Sequence, residues 1–145
     1  MAAESGLGAR LSTELGPRDL GASAILFWLA LLPRVYVALA WAREPVWDGH
    51  YYDFGARRIA HGFGYSDDVV IAGASRWHPW CHYPVGYSAF LAGVYRVFGE
   101  GAHVATVANA VVGAALAAAV HRLARYALST NRARLAGLFT AVAPG

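Results

Sequence analysis

The sequence predicts an all-α integral membrane protein, and its composition and hydropathy pattern both lead to this fold class. Hydrophobic residues make up 57% of the 145 residues, whereas charged residues make up only 14%. A soluble domain carries about 25% charged residues, and a chain this apolar does not stay disordered in water. The net charge of +3 is modest, and we expect membrane lipids rather than a nucleic acid as partners. The lone Cys81 excludes an internal disulfide.

The first predicted transmembrane helix covers 20–42 and follows a polar leader, 1–19. Its length matches the roughly 20 residues that a helix needs to cross a bilayer. Arg34 is its one charged residue, and snorkelling to the membrane surface is a simpler interpretation of this side chain than a functional role. A secretory signal peptide is the alternative, because Ala38-Leu39-Ala40 resembles a cleavage site. Acidic residues in the leader, together with Arg34, favour a retained helix.

Residues 43–101 form a long segment that is rich in glycine and aromatic residues. Apolar positions spaced by four, three and four residues predict an amphipathic helix over 51–61. A polar loop over 66–82 follows. The apolar run 85–98 is too short to cross a bilayer, and we expect it to be a helix associated with the outer leaflet.

A second transmembrane helix is predicted over 102–121. Its small residues suit close helix packing in lipid, and Asn109 is expected to hydrogen-bond to another helix. A basic loop over 122–134 comes next. The last 11 residues, 135–145, are too few to cross a bilayer. They predict the start of a third transmembrane helix, and the chain is then the N-terminal part of a larger protein.

The distribution of charge predicts the orientation of these segments. Four arginines and no acidic residue lie in 122–134, whereas 43–101 holds five arginines and six acidic residues. Because basic loops remain in the cytoplasm, 122–134 and the N-terminus are expected inside and 43–101 outside.

Asp48 is the strongest candidate for chemistry, since it follows a predicted membrane exit and lies among aromatic residues. A carboxylate at this place is suited to accept a proton from an acceptor hydroxyl or to hold a divalent cation. The alternative is that Asp48 caps the helix that begins near Tyr51. The residues themselves leave both interpretations open.

Two arginines and a histidine-rich segment are the other candidates. Arg57 and Arg58 are suited to a phosphate, although a solvated edge of the helix is the more common role of such a pair. Asp67-Asp68 is expected to be a solvated loop, with a metal site as the weaker alternative. The segment His78–His82 contains three residues of types that bind metals, His78, Cys81 and His82. It lacks the second ligand pair of a closed zinc site, and ordinary polar contacts are the better interpretation.

In order and spacing, these segments resemble the integral-membrane glycosyltransferases of the GT-C type, which use polyprenyl-phosphate sugars. The family includes protein mannosyltransferases and bacterial family-39-like enzymes. The matching segments are Trp47–Tyr52, Ala56–Tyr65, His82–Tyr87 and Tyr95–Gly99, followed by the alanine-rich helix with its arginine-rich end. The resemblance extends over 20–145.

The resemblance implies a GT-C-like helical bundle in the bacterial plasma membrane, and sugar transfer from a lipid-phosphate donor on the outer face. The family's first-loop acid corresponds to Asp48, as base or as ligand of Mg²⁺ or Mn²⁺. Many relatives have Asp-Glu there, whereas Gly49 follows Asp48 in this chain. A further acidic motif normally follows the third helix, so we expect this N-terminal part to be inactive alone. The residues implied to line the donor and acceptor cleft are His50, Tyr51, Tyr52, Arg57, Arg58, His82 and Tyr83.

Overall fold

The computed structural model describes residues 16–41, 43–79 and 83–143. Within these residues the fold is mainly helical, as the sequence predicts: five helices account for 73% of them, and one two-stranded antiparallel sheet is present. The elements are α1 (Pro17–Ala40), α2 (Asp48–Ala60), β1 (Ser66–Ile71), β2 (Ala74–Pro79), α3 (Val85–Phe98), α4 (Ala102–Ala127) and α5 (Thr130–Val142). By length and composition, α1 and α4 are able to cross a membrane, with mean hydropathies of 1.8 and 1.7.

The chain divides into two compact units. The first, which we call the three-helix unit, comprises Met1–Tyr36 and Ala110–Gly145. The second, the aromatic unit, comprises Val37–Asn109 and contains α2, the two strands and α3. The long helices α1 and α4 each contribute residues to both units.

Small residues form the core of the three-helix unit. Ala30 of α1 packs with alanines of α4 and α5, and all of them are buried. Gly137 of α5 lies so close to α4 that an added Cβ would be 2.9 Å from the Cβ of His121. Early residues of α1 contact late residues of α4, because Ser23 Oγ lies 2.9 Å from His121 Nδ1. These two helices are therefore antiparallel.

Arg34 of α1 contacts the C-terminal end of α5, and its expected snorkelling to a membrane surface stays a prediction. Its guanidinium donates hydrogen bonds to backbone carbonyls at the C-terminal end of α5, at 2.6 Å to Ala141 and 2.8 Å to Ala143. Those carbonyls have no partner within their own helix, and a cation is favoured beside them by the helix dipole. Arg34, in the second half of α1, thus lies beside the C-terminal end of α5, and the two helices run parallel.

The prediction of a basic loop over 122–134 is wrong, because most of this segment is helical. α4 continues to Ala127 and α5 begins at Thr130, so only 128–129 separate them. Arginine favours helix nearly as strongly as leucine, and the segment contains neither glycine nor proline. The four arginines lie at the end of α4 and the start of α5 rather than in a loop.

In the aromatic unit, α2 packs on α3. α2 begins three residues before the predicted start at Tyr51, and His61 ends it as the C-cap residue. α3 has the same bounds as the apolar run 85–98. Ala56 of α2 is buried with residues of α3, and Leu91 and Tyr95 are the largest of these. α3 therefore buries one face against protein.

Within the expected polar loop 66–82, the described part 66–79 forms a β-hairpin instead, so the predicted all-α fold is a mainly helical one. β1 and β2 pair in register from Ser66 with Pro79 to Ile71 with Ala74. The connection is a two-residue turn, Ala72–Gly73, in which both residues have positive φ, 53° and 80°. Such turns match the twist of a hairpin, and β-branched residues before the turn favour a strand.

Candidate functional site

Asp48 lies at the N-terminal end of α2, directly after an exposed Trp47 whose φ is 53°. Positive φ is unusual for a bulky residue and marks a constrained backbone. The N-cap residue is Trp47, and no side chain caps this helix end, so the interpretation of Asp48 as the cap is wrong. Asp48 is in the first turn instead, where the helix dipole stabilises a carboxylate.

The carboxylate of Asp48 is oriented by a tyrosine that comes from a distant part of the sequence. The hydroxyl of Tyr83 donates a hydrogen bond to Asp48 Oδ1 at 2.9 Å. Tyr83 immediately precedes Pro84, the N-cap residue of α3. The starts of α2 and α3 therefore meet at this pair, and Asp48 is exposed.

Four tyrosines surround this hydrogen bond, and we call them the tyrosine cluster: Tyr51, Tyr52, Tyr83 and Tyr87. The rings of Tyr51 and Tyr83 are stacked with centroids 5.2 Å apart. Tyr52 meets both Tyr83 and Tyr87 edge-on, at 5.3 Å in each case. Edge-on and offset-stacked rings are the favourable arrangements for aromatic pairs, so the cluster forms a preorganised aromatic surface beside Asp48.

The cluster is extended at both ends by polar residues. His50 lies edge-on to Tyr51 at 5.8 Å. At the other end, the hydroxyl of Tyr87 donates to Asn109 Oδ1 at 2.9 Å and accepts from Asn109 Nδ2 at 2.7 Å. Asn109 belongs to α4 and Tyr87 to α3, which confirms the expectation that Asn109 hydrogen-bonds between helices.

The electrostatics of the pair keep Tyr83 protonated. The hydrogen bond to Asp48 is the main cause that raises the pKa of Tyr83 above its usual 10.0, with partial burial as the next. A tyrosinate would face the negative Asp48, which disfavours ionisation. Tyr83 is thus a hydrogen-bond donor at neutral pH.

Arg57 lies away from Asp48, along α2. Its Nε donates to Asp53 Oδ2 at 2.7 Å, and its Nη1 lies 3.3 Å from Glu100 Oε2. These carboxylates raise the pKa of Arg57, the hydrogen bond to Asp53 most strongly. Asp53 is buried and also accepts a hydrogen bond from Tyr95. Arg57 therefore connects α2 to Glu100, which lies between α3 and α4, and it shares Asp53 with Tyr95 of α3.

Arg58 is bound to the hairpin. Its Nη1 donates to Asp68 Oδ2 at 2.7 Å, and its guanidinium lies over the ring of Phe63 at 4.9 Å. The hydrogen bond to Arg58 lowers the pKa of the Asp68 carboxyl. A helix rises 1.5 Å per residue, so both arginines start about 14 Å from Asp48 along α2. The implied phosphate role of Arg57 and Arg58 stays a prediction.

The histidine-rich segment is only partly described. His78 Nδ1 lies 2.8 Å from Asp67 Oδ1 across the hairpin, whereas Cys81 and His82 lie outside the described residues. Within 16–41, 43–79 and 83–143, no three His, Cys, Asp or Glu side chains are grouped as metal ligands. Asp67 and Asp68 are both engaged in ion pairs on β1 rather than in a solvated loop.

The structure thus brings together five of the predicted site residues: Asp48, His50, Tyr51, Tyr52 and Tyr83. Sequence reasoning missed Tyr87, which lies in the first turn of α3, four residues after Tyr83. It also missed the bond between Asp53 and Tyr95, which no spacing along the chain indicates.

No protein-family model matches the chain, and no curated protein or solved structure is significantly similar to it. The fold and site define a mainly helical chain that has two helices able to cross a membrane and an exposed carboxylate within a tyrosine cluster.

Proposed function

We propose that the chain is the N-terminal part of an integral-membrane glycosyltransferase with a GT-C-like bundle. It moves a sugar from a polyprenyl-phosphate donor to a lipid, glycan or protein acceptor on the extracytoplasmic face of the plasma membrane. The observation that supports this most is Asp48, an exposed carboxylate oriented by Tyr83 and located eight residues after the end of α1.

The reaction needs a group that accepts a proton beside the sugar. The acceptor hydroxyl bonds to the anomeric carbon, the bond from that carbon to the donor phosphate breaks, and polyprenyl phosphate leaves with the electron pair. Asp48 takes the hydroxyl proton as general base. Tyr83 holds one oxygen of Asp48 in place, and the other oxygen is directed to the acceptor.

The tyrosine cluster supplies the second supporting observation. Sugar rings have apolar C–H faces that pack against aromatic rings, while their hydroxyls bond to polar side chains. The stacked pair Tyr51 and Tyr83 presents such a face next to Asp48. Tyr51 is 40% exposed and Tyr87 is 37% exposed, so part of the cluster remains accessible to a ligand.

At this site a divalent cation would have a single carboxylate, Asp48, as its protein ligand. Mg²⁺ is commonly bound through one or two carboxylates together with substrate phosphates. When bound, Mg²⁺ or Mn²⁺ would neutralise charge on the departing phosphate.

The alternative is a non-catalytic membrane accessory or assembly protein. The ion pairs of Arg57 and Arg58 favour this alternative, because carboxylates already neutralise both guanidiniums. The tyrosine cluster would then be a contact surface for another protein rather than for a sugar.

The decisive variant is Asp48→Asn, which keeps the shape of the side chain and removes its basicity. The full-length protein is assayed in membranes with synthetic polyprenyl-phosphate hexoses and pentoses, and release of polyprenyl phosphate is measured. We expect at least a hundredfold loss of release, the lower range for a lost general base, with unchanged membrane insertion.

The matched control is Glu44→Gln, an exposed acid four residues before Asp48 that undergoes the same change of charge. It should retain wild-type release. Wild-type release by Asp48→Asn, or no release by the wild type with any donor of the panel, would reject the enzyme in favour of the accessory protein.

A further inference from the structure

An open groove runs along the three-helix unit between α1 and α5. Its walls are apolar: Ile25 and Leu29 on α1 face Leu135 and Leu138 on α5. All four are exposed. On each helix these residues are spaced by three or four positions and form one continuous stripe. A wall of this kind offers apolar contacts only, and the groove therefore suits the apolar chain of a ligand.

One end of the groove is basic. Arg18 of α1 and Arg134 of α5 line it, together with Asn131. Among the described residues neither arginine has a carboxylate partner, whereas the neighbouring Asp19 is paired with Arg125 at 2.8 Å. The groove therefore has two guanidiniums and an amide at its mouth, and the described residues that line it include no acidic side chain.

The direction of the helices adds to this positive charge. Arg34, in the second half of α1, lies beside the C-terminal end of α5, so the N-terminal ends of these two parallel helices meet at the basic end of the groove. Each N-terminus carries a partial positive charge. The two helix dipoles and the two arginines therefore all favour a negatively charged group at this end of the groove.

The groove also has the length of one lipid leaflet. Arg18 and Leu29 are 11 residues apart on α1, which is about 16 Å at 1.5 Å per residue. The hydrocarbon core of a bilayer is about 30 Å thick, so one leaflet contributes about 15 Å. A single acyl chain fits this length, whereas a polyprenyl chain is much longer.

We propose that this groove binds one anionic phospholipid, whose phosphate lies between Arg18 and Arg134 and whose acyl chain follows the apolar walls. Basic pockets between membrane helices on the cytoplasmic side are known to bind anionic head groups. The proposal rests on membrane integration of α1 but not on sugar transfer, and the lipid is bound in the three-helix unit, which does not contain Asp48.

The test uses the purified chain in detergent and native mass spectrometry with phosphatidylglycerol and phosphatidylethanolamine of identical acyl chains. We expect a single retained phosphatidylglycerol and weaker retention of the zwitterionic lipid. A basic side chain near an anionic lipid contributes about 1 kcal/mol, so Arg18→Gln and Arg134→Gln should each weaken phosphatidylglycerol binding about fivefold. The double variant should weaken it about 25-fold.

Arg132→Gln is the matched control, because Arg132 is exposed on the same helix and does not line the groove. It should bind phosphatidylglycerol like the wild type. Gly21→Leu tests the apolar wall: Gly21 lines the groove, and an added Cβ there meets no atom within 4 Å. The leucine should fill the groove and abolish retention of both lipids, with unchanged helix content by circular dichroism.

Three results would overturn the proposal. Equal binding of the two phospholipids, or equal losses in Arg132→Gln and Arg134→Gln, would mean that the arginines attract lipid without a specific site. A dimer mass that persists with either lipid would assign the groove to a second copy of the chain. Polyprenyl phosphate that competes better than phosphatidylglycerol would assign it to the donor lipid instead.

Discussion

The two units of the molecule are packed by different kinds of residue. In the three-helix unit the buried apolar residues are almost all alanines, and Gly137 lets the helices approach closely. In the aromatic unit the buried residues include the larger Leu91 and Tyr95. Each unit also holds one buried carboxylate: Asp53 bonds to Tyr95 and Arg57, and Asp19 of the three-helix unit pairs with Arg125.

This difference is the one expected between contacts made in lipid and contacts made in water. Lipid gives no hydrophobic gain when two helices meet, so close backbone approach through small residues stabilises the pair. In water, burial of large apolar side chains and satisfied polar groups stabilise the fold. The alanine-rich packing of the three-helix unit is therefore of the kind that suits helix contacts in lipid.

Of the variants that test this difference between the units, Asp53→Ala in the aromatic unit is expected to lower the free energy of unfolding most. The variant removes the acceptor of the buried Tyr95 hydroxyl and one carboxylate of Arg57. Because an unsatisfied buried polar group is costly, the free energy of unfolding should fall by about 3 kcal/mol. Urea unfolding in detergent micelles, followed by near-ultraviolet circular dichroism, measures it.

Asp67→Ala is its control, since it removes the same charge from a partly exposed pair with His78. Such a pair contributes less than about 1 kcal/mol. Equal destabilisation by the two variants would mean that the Asp53 network does not hold the aromatic unit together.

A smaller effect is expected from Gly137→Ala in the three-helix unit. The new Cβ would lie 2.7 Å from Leu26 Cδ1 and 2.9 Å from His121 Cβ, so α5 must move away. Overpacking of this kind costs about 2 kcal/mol and should lower the thermal midpoint.

Gly21→Ala makes the same substitution on α1, where the added Cβ meets open space. It should raise stability by up to about 1 kcal/mol, because alanine favours helix over glycine. If Gly137→Ala raises the thermal midpoint as Gly21→Ala does, the close approach of α5 at Gly137 does not contribute to the stability of the three-helix unit.

The smallest effect is expected from Tyr83→Phe at alkaline pH. The pKa of Tyr83 is raised above its usual 10.0 in the fold, so its hydrogen bond to Asp48 stabilises the fold below about pH 10. Above that pH the unfolded chain loses the proton first, and this stability disappears. Tyr83→Phe should therefore show a shallower loss of thermal midpoint between pH 9 and pH 11.

Tyr126→Phe is the comparison for this measurement, because Tyr126 is a half-exposed tyrosine of the three-helix unit. It should keep the pH dependence of the wild type. The same slope in both variants would show that the bond between Tyr83 and Asp48 does not contribute to stability.

The helices were predictable because they depend on patterns that are local in the sequence. The apolar run 85–98 is the helix α3, and the uncharged runs correspond to α1 and α4. The hairpin was missed because its signal is short: Val69, Val70 and Ile71 before a two-residue turn, within an otherwise polar segment. The basic stretch 122–134 is mostly helical because arginine favours helix, a propensity that its charge does not reveal.

The site was likewise predictable only where its residues are close together in the sequence. Asp48, Tyr51 and Tyr52 are adjacent in the sequence, and one segment was enough to single them out. The partner of Arg57, Glu100, is 43 residues away, and the pairing of Arg57 depends on how α2 docks on α3. Tertiary contacts of this kind have no signature in spacing.

Arg34 has a consequence for the order in which the protein is made. The carbonyl of Ala141 that it binds is 107 residues further along the chain. At a synthesis rate of about 5–20 residues per second, the arginine leaves the ribosome roughly 5 to 20 seconds before its partner exists. A lone guanidinium is costly within lipid. We therefore expect that α1, where it enters a membrane, keeps Arg34 in contact with water until α5 has been made, so that the contact between these two helices forms late in synthesis.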